Sequence, residues 1–535
     1  MYRMNRILPL ISLSIVAVIF AWTLLNVGFT SSPYAIPKSL DSRYIAWAII
    51  AALVLMIWFL PARTRPISKF LVVFWILSTL IAYPFAITNS IFGLNDMEAI
   101  LIFFRDNQAE DIAKIGGISF LTPIIVSLVI LGVLWLSSFY LISRKHRFDR
   151  IVFSFGLLFL AISPITQFVK NMLITNEIQV NFDFDTEIKL DITARPDVQK
   201  NLIVIYVESL ERTYGDIDIS SEAYRPIQKM ADNAIEAVNI QQTVGTNFSI
   251  AGIVASQCGV PLVPQGLSYV IFQKRAEGSL QDFLPSMTCL GDVLNDDGYE
   301  VSYLNGASLD RFSKRSFLLG HGYDRVTGLD EIPEERKLGR TNAFGMNDAL
   351  TFELAREEYD QLVTLDDPFA LTILTVSTHG PLGFLDNNCP PVEGASSQIP
   401  TAISCTAELL ADFIDYTKSK NNGRETEIIV LNDHLAMRNT MEQELKATAD
   451  TRRNLFFVQN ASAPSVIDRA ATPFDIFPTI LDSLGYELAD DQANLGRSMF
   501  QSSKNLIERY GPDDLYQLLK GNYALSKFLW RPIVE

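Results

Sequence analysis

The chain is poor in the residues that most often announce chemistry. Its 535 residues include four cysteines, Cys258, Cys289, Cys389 and Cys405, and four histidines. The cysteine spacing fits no zinc finger. Basic residues are also in short supply: 44 Lys and Arg against 60 Asp and Glu leave a net charge of −16. That balance argues against a nucleic-acid partner, because phosphate binding needs clustered cations. Charge is scarcest in the first 170 residues, which are mostly apolar blocks, and the acidic residues crowd the remainder.

Five apolar runs stand out, at about 7–29, 44–60, 70–87, 118–142 and 151–169. Each approaches the ~20 residues a helix needs to cross the hydrocarbon core. The first is long and no small-residue cleavage site follows it, so it reads as a span and not as a removable signal. Nine Lys and Arg flank the spans on one side (Arg3, Arg6, Arg63, Arg65, Lys69, Arg144, Lys145, Arg147, Arg150) and four on the other (Lys38, Arg43, Arg105, Lys114). The positive-inside rule then puts the amino terminus in the cytoplasm and everything after the fifth span outside. The expectation is a multi-pass protein of the cytoplasmic membrane with a periplasmic or extracellular domain. Within one outward loop, Met97–Asp106 is apolar but too short to span, and reads as an interfacial segment or a packed loop.

Residues 171–200 are polar and without clear period, and are expected to form a linker. Beyond them, short apolar runs alternate with helical patterns, the signature of an α/β domain with a largely parallel sheet. "LIVIYV" (Leu202–Val207) is followed by Glu208. "FALTILTV" (Phe369–Val376) is followed by Ser377, Thr378 and His379. "IIVL" (Ile428–Leu431) is followed by Asn432, Asp433 and His434. Three buried-strand candidates therefore deliver Glu, Asp or His at the carboxyl end, where ligands bind in open α/β sheets. These residue types suit a divalent metal. "QTVGTNFSIAGIVASQCGVPL" (Gln242–Leu262) places two hydroxyls, Thr246 and Ser249, before a helix of small and apolar residues. A hydroxyl there either caps the helix or, beside a cation and the helix amides, loses its proton and becomes a nucleophile. The two roles are compatible.

These motifs together resemble the alkaline phosphatase/sulfatase superfamily. More closely they are similar to its membrane-anchored phosphoglycerol transferases, which include the enzyme that decorates periplasmic glucans and the lipoteichoic acid synthases. The resemblance runs over about 201–500. It rests on "VESL" at Glu208, the hydroxyl-headed helix, "STHGP" around His379 and "NDHLAM" around Asp433 and His434. "TPFDIFPTILDSLGY" (Thr472–Tyr486) and "LGRSMF" (Leu495–Phe500) extend it. It implies one divalent metal, Mn²⁺ with Zn²⁺ or Mg²⁺ as alternatives, held by Glu208, the nucleophilic hydroxyl, Asp433 and His434. His379 is implied to touch the substrate phosphate or protonate the leaving group. The family's ten-step spacing from nucleophile to a closing glycine selects Ser249, ten before Gly259, with Thr246 as the alternative. The sulfatase signature C/S-x-P-x-R is absent, since "SIAGI" supplies neither Pro nor Arg. In "NGASLDRFSKRSFLLGHGYD" (Asn305–Asp324), Phe312 with Lys314 or Arg315 are the implied counterparts of residues that hold glycerophosphate, and His321 reads as structural.

The expectation is therefore a five-helix transmembrane region (1–170), a linker (171–200), an extracytoplasmic sulfatase-like domain (201–500) and a C-terminal tail (501–535). The enzyme would move phosphoglycerol from phosphatidylglycerol to an extracytoplasmic glycan or glycerophosphate acceptor through a phospho-enzyme. The alternatives are a phosphoethanolamine transferase and a non-catalytic glycan-binding module. In an exported domain, Cys389 is expected to pair with Cys405 across a polar loop, leaving Cys258 to pair with Cys289 or stay a buried thiol.

Overall fold

The computed structural model describes residues 182–531 except 264–282, 387–388, 394–396, 421, 460–462 and 521, together with single helical positions between Val73 and Leu80. The chain divides into two compact units, 1–104 with 108–176, and 105–107 with 177–535. The five apolar runs, the 97–106 segment and the orientation drawn from them lie outside the described residues, apart from those few positions in the third run. Among the described residues no helix is long and apolar enough to cross a membrane.

The second unit is built on an eight-stranded mixed sheet. Its strands are β2 (Asn201–Tyr206), β3 (Ile235–Ala237), β4 (Glu300–Asn305), β5 (Arg325–Thr327), β6 (Phe369–Leu374), β7 (Thr426–Leu431), β8 (Phe456–Gln459) and β9 (Ser465–Ile467), in the order β5-β4-β6-β2-β7-β8-β3-β9. The five strands from β5 to β7 are parallel, whereas β8 runs antiparallel to both β7 and β3. All six residues of β2 and of β6 are buried, which explains why these strands read as continuous apolar runs. Ile203, Ile205 and Val207 join a core with helices α1 (Asp218–Ala231), α5 (Asp348–Leu362) and α6 (Gln398–Ser419). The alternate residue Tyr206 turns the other way, and its hydroxyl meets Ser256 Oγ at 2.7 Å on helix α2 (Ser249–Cys258). Helices α3 (Leu290–Asp296), α4 (Lys314–Gly320) and α7 (Ile476–Ser483) complete the set that concerns the site.

Two boundaries differ from expectation. Residues in the expected linker form a one-turn helix, Phe184–Glu187, and strand β1 (Lys189–Ala194), which pairs antiparallel with β10 (Glu487–Asn494); β10 in turn pairs with β11 (Gly496–Arg497). "KLDITA" does alternate, with Lys189, Asp191 and Thr193 outward, but six residues of period two hold a strand only through a partner about 300 positions away. The expected tail forms short helices, Leu506–Tyr510, Pro512–Leu519 and Tyr523–Leu529. It buries Leu515, Leu519, Leu525 and Leu529, and Trp530 Nε1 donates to Val263 O at 2.7 Å. The folded unit thus extends past 500. The disulfides are Cys258–Cys289, which ties the end of α2 to the start of α3, and Cys389–Cys405.

Candidate active site

The three strands that end in chemically competent residues, β6, β2 and β7, are neighbours at the middle of the sheet. Their register is level: Tyr206 lies beside Leu374 on one side and Leu431 on the other. Glu208 and Asp433 each follow two residues later, so parallel pairing alone brings them to one height above the sheet. Glu208, Asp433 and His434 are 3%, 3% and 1% exposed, and their ligating atoms all lie within 4.8 Å of one another. His434 Nε2 is 3.5 Å from Glu208 Oε1 and 3.4 Å from Asp433 Oδ2.

Electrostatics mark this cluster as unfinished. Burial alone would raise Glu208, but the neighbouring His434 imidazole and the His379 charge hold it well below the usual carboxylate range. Burial pushes Asp433 up to about 7, and the Glu208 charge adds to the effect. Burial also opposes a charge on His434, yet Asp433 and Glu208 outweigh it and raise the imidazole to about 9. Two carboxylates and one imidazole are thus crowded in low dielectric, where like charges repel strongly. Asp433 Oδ2 and His434 Nε2 are buried without a hydrogen-bond partner among the described residues, a state that buried polar atoms rarely tolerate. Their other atoms are fixed. Asp433 Oδ1 accepts from Ser209 N at 2.9 Å, and His434 Nδ1 pairs with Leu435 O at 2.8 Å. The second contact places the hydrogen on Nδ1, so that the ring presents its Nε2 lone pair inward once it gives up its second proton. The separations of 3.3–3.5 Å between the oxygen and nitrogen atoms of this group are short enough for them to share one cation. The residues present therefore fit a divalent cation.

The two hydroxyls of the opening stretch part company. Ser249 is the first residue of α2, and its Oγ donates to Glu208 Oε2 at 3.3 Å. It is not the cap: the N-cap is Phe248, which has no side-chain cap bond. Thr246 is fully buried and turned back into its own loop. It donates to Thr243 O at 2.9 Å and accepts from Thr243 N at 3.1 Å. Helix α2 lies in direct contact with the Asp433 loop. A Cβ on Gly252 would fall 1.7 Å from Asp433 O, so only glycine allows this approach. Gly259, at φ 63°, closes the helix in the left-handed region.

His379 Nε2 lies 4.0 Å from Glu208 Oε1, and its Nδ1 contacts Gly380 O at 2.5 Å. Burial lowers its basicity against the pull of Glu208. Phe344 stacks on the ring with centroids 3.7 Å apart. Phe312 packs on Phe248, next to Ser249, at 6.1 Å. Of the two basic alternatives, Lys314 is buried and its charge is felt at His379, whereas Arg315 pairs with Asp310 at 3.0 Å and Glu331 at 2.5 Å. His321 is occupied on both nitrogens, by Asp292 Oδ2 and Phe283 O, each at 2.8 Å.

Sequence reasoning passed over several residues that shape the site. Thr378 Oγ1 donates to Glu208 O and joins the ends of β6 and β2. Asp348 Oδ1 accepts from Val376 N at 2.8 Å and Ser377 N at 2.9 Å, just before His379. Glu211, Gln242 and Arg452 grip the loop after His434. Glu211 stands three residues from Glu208 in the same loop, which is the one cue the sequence carries.

A family model described as Sulfatase matches residues 200–486, over half of the chain, and the chain belongs to the sulfatase family. It departs from the sulfatase signature at the start of α2, where Pro and Arg are missing. Phosphoglycerol transferase I of Citrobacter koseri is 32% identical over 396 residues, an alignment covering 69% of this chain and 50% of that protein. Phosphoglycerol transferase I of Escherichia coli O127:H6 is 35% identical over 328 residues, covering 59% and 41%. The chain thus spans about half the length of the curated relatives it matches. The solved lipoteichoic acid synthase LtaP from Listeria monocytogenes is similar at 16% identity, with a TM-score of 0.47 over 60% of this chain and 82% of that one.

Proposed function

We propose that this chain is a membrane-anchored phosphotransferase that moves phosphoglycerol from phosphatidylglycerol to an extracytoplasmic glycan or glycerophosphate acceptor, with Ser249 as the nucleophile. The observation that carries this reading is the Ser249 hydroxyl directed at Glu208 from the first turn of α2, beside the unfinished cluster of Asp433 and His434. The names of the curated relatives support the headgroup. The five apolar runs would hold the site at the outer face of the membrane, within reach of a lipid donor.

Glu208, Ser249, Asp433 and His434 would hold one divalent cation, Mn²⁺ in the first instance. When bound it supplies Lewis-acid stabilisation of an alkoxide and of phosphate charge. The chain's own residues do the rest. Glu208 Oε2 accepts from Ser249 Oγ and orients it; because Glu208 is held well below the usual carboxylate range, the Ser249 proton is released to solvent as Oγ attacks. A bond forms from Oγ to phosphorus, and the bond from phosphorus to the diacylglycerol oxygen breaks. His379, whose Nδ1–H is held by Gly380 O, would have to enter doubly protonated, paired with the negative charge of the bound phosphate, and then gives its Nε2 proton to that leaving oxygen. The first-turn amides of α2 receive a phosphoryl oxygen, and Lys314 adds positive charge on the same side. In the second half an acceptor hydroxyl gives its proton to His379 and attacks phosphorus. The phosphorus–Oγ bond breaks, and Ser249 regains its proton from solvent.

The test incubates the full-length chain in detergent with headgroup-labelled phosphatidylglycerol, or in a second arm with labelled phosphatidylethanolamine, followed by peptide mass spectrometry. The expected result is a glycerophosphate adduct on Ser249 that disappears when acceptor is added. No adduct from phosphatidylglycerol would overturn the reading. A phosphoethanolamine adduct would assign the other headgroup, and an adduct on Thr246 would move the nucleophile.

A further inference from the structure

We infer that the buried pair Glu211–Arg452 is a positioning device for the metal site, acting through the backbone of Leu435 and Ala436 on the ring of His434. The inference rests on the metal reading proposed above and adds two residues to it.

Glu211 is fully buried and Arg452 is 8% exposed. Arg452 Nε donates to Glu211 Oε1 at 2.8 Å, and its Nη2 donates to Glu211 Oε2. The same two side chains hold both polar groups of one peptide residue. Ala436 N donates to Glu211 Oε2 at 2.8 Å, and Ala436 O accepts from Arg452 Nη2 at 2.7 Å. Ala436 is two residues beyond His434. Between them, Leu435 N donates to Gln242 Oε1 at 2.6 Å, while Leu435 O pairs with His434 Nδ1. On the near side, His434 O accepts from Asn432 Nδ2 at 2.6 Å. The loop has no helix or strand to satisfy its backbone, so side chains do so, and its placement is inherited from them.

A buried ion pair is a weak way to stabilise a fold, because desolvation offsets the attraction and apolar replacements of similar volume are often neutral or better. Its geometry is better suited to placement. The planar, forked guanidinium reaches a carboxylate and a carbonyl at once. The pair also joins three segments. Glu211 lies in the loop that carries Glu208 out of β2, Ala436 in the loop that carries Asp433 and His434 out of β7, and Arg452 just before β8. Locking these loops together fixes the spacing between Glu208 and His434. The peptide oxygen that orients a ligating imidazole is among the outer contacts to which metal affinity is sensitive. If the clamp slackens, Leu435 O shifts and Nε2 loses its aim.

The experiment measures Mn²⁺ affinity of the full-length chain in detergent by competition with a chelating dye, alongside thermal unfolding in excess chelator. The paired variant Glu211→Leu/Arg452→Met removes both charges together, so no buried charge is stranded. Arg452→Lys keeps the charge but loses the fork. The paired variant is expected to unfold within a few degrees of the parent without metal, yet to bind Mn²⁺ on the order of 10–100-fold more weakly. Arg452→Lys should fall between the two. Parent-like affinity in both variants, with the parent binding Mn²⁺, overturns this inference alone. A parent that binds neither Mn²⁺ nor Zn²⁺ overturns the metal reading and this inference with it. A paired variant that does not fold also overturns it, because the pair would then serve the fold and not the site.

Discussion

His321 and His434 are nearly twins by composition and opposites by state. Each is buried, at 3% and 1% exposure, and each sits against a carboxylate. At His321 every valence is met: Asp292 takes one ring nitrogen, Phe283 O takes the other, and the Asp292 carboxylate also receives Cys289 N at 2.8 Å. The third residue that could complete a metal set there, Cys289, is in a disulfide. At His434 Nδ1 is hydrogen-bonded, whereas Nε2 lies 3.4 Å from Asp433 Oδ2 and neither of these two atoms has a hydrogen-bond partner among the described residues. Residue type therefore does not define a site. Metal-competent side chains that converge with buried atoms left unpaired make the stronger candidate, because leaving a buried donor or acceptor unpaired costs ~1–3 kcal/mol.

The comparison breaks most decisively if the unmet side carries no chemistry. Ser249→Ala removes the hydroxyl that points into that side. Transfer from phosphatidylglycerol is expected to fall by on the order of 10⁴-fold or more, as for loss of other nucleophiles. Unfolding should barely move, because the helix cap is at Phe248. Retention of more than a tenth of the parent turnover would remove Ser249 from its role.

How far this was readable from residues alone depends on the kind of constraint. Glu208, His379, Asp433 and His434 were legible because a parallel sheet imposes a one-dimensional rule: an apolar run ends and the next residues sit at the ligand-binding edge. Level register then did the spatial work. Ser249 was legible as a hydroxyl at a helix start, but its separation from Thr246 was settled by side-chain direction, and the single turn between them carries no sign of that. Glu211, Asp348 and Arg452 act on backbone groups that are remote in sequence: Glu211 meets Ala436 225 positions on, and Asp348 meets Val376 28 on. No local pattern encodes such contacts. The β1–β10 pairing was hidden for the same reason, since "ELADDQAN" looks like a solvated turn until its partner is known.

The satisfied twin yields a second test. His321→Ala empties the space of a buried ring and removes one partner each from the part-buried Asp292 carboxylate and Phe283 carbonyl, so it should destabilise the domain by ~2–4 kcal/mol while leaving metal stoichiometry at that of the parent. Calorimetric unfolding together with metal analysis separates these effects. Loss of metal with unchanged stability would reverse the assignment of the two histidines.

A finer test uses a buried carboxyl held by hydrogen bonds. Asp348 accepts from Val376 N, Ser377 N and, at 2.6 Å, Thr406 Oγ1, yet burial still pushes it up to about 6. An unfolded aspartate titrates near ~3.9, so between those values the native state binds the proton more tightly. Stability from this group is greatest at low pH and is lost as pH rises through about 6. Asp348→Asn can keep the two backbone bonds and reverse the one to Thr406, so it should flatten this slope by on the order of 2 kcal/mol. Parallel parent and variant unfolding curves from pH 4 to 7 would rule the effect out.

The smallest expected effect separates two adjacent cations. Arg315 is satisfied in the manner of His321, by Asp310 and Glu331 at the surface, and exposed pairs of this kind contribute at most ~1 kcal/mol. Arg315→Met should leave KM for the lipid donor within about twofold of the parent, the range such a surface change allows. Lys314 is buried and its charge reaches His379, so Lys314→Met should raise KM by roughly tenfold, the scale of one charge-assisted contact to phosphate. Equal effects from the two substitutions would mean that burial does not distinguish them. The buried charge beside His379 would then contribute no more to donor binding than the paired charge at the surface.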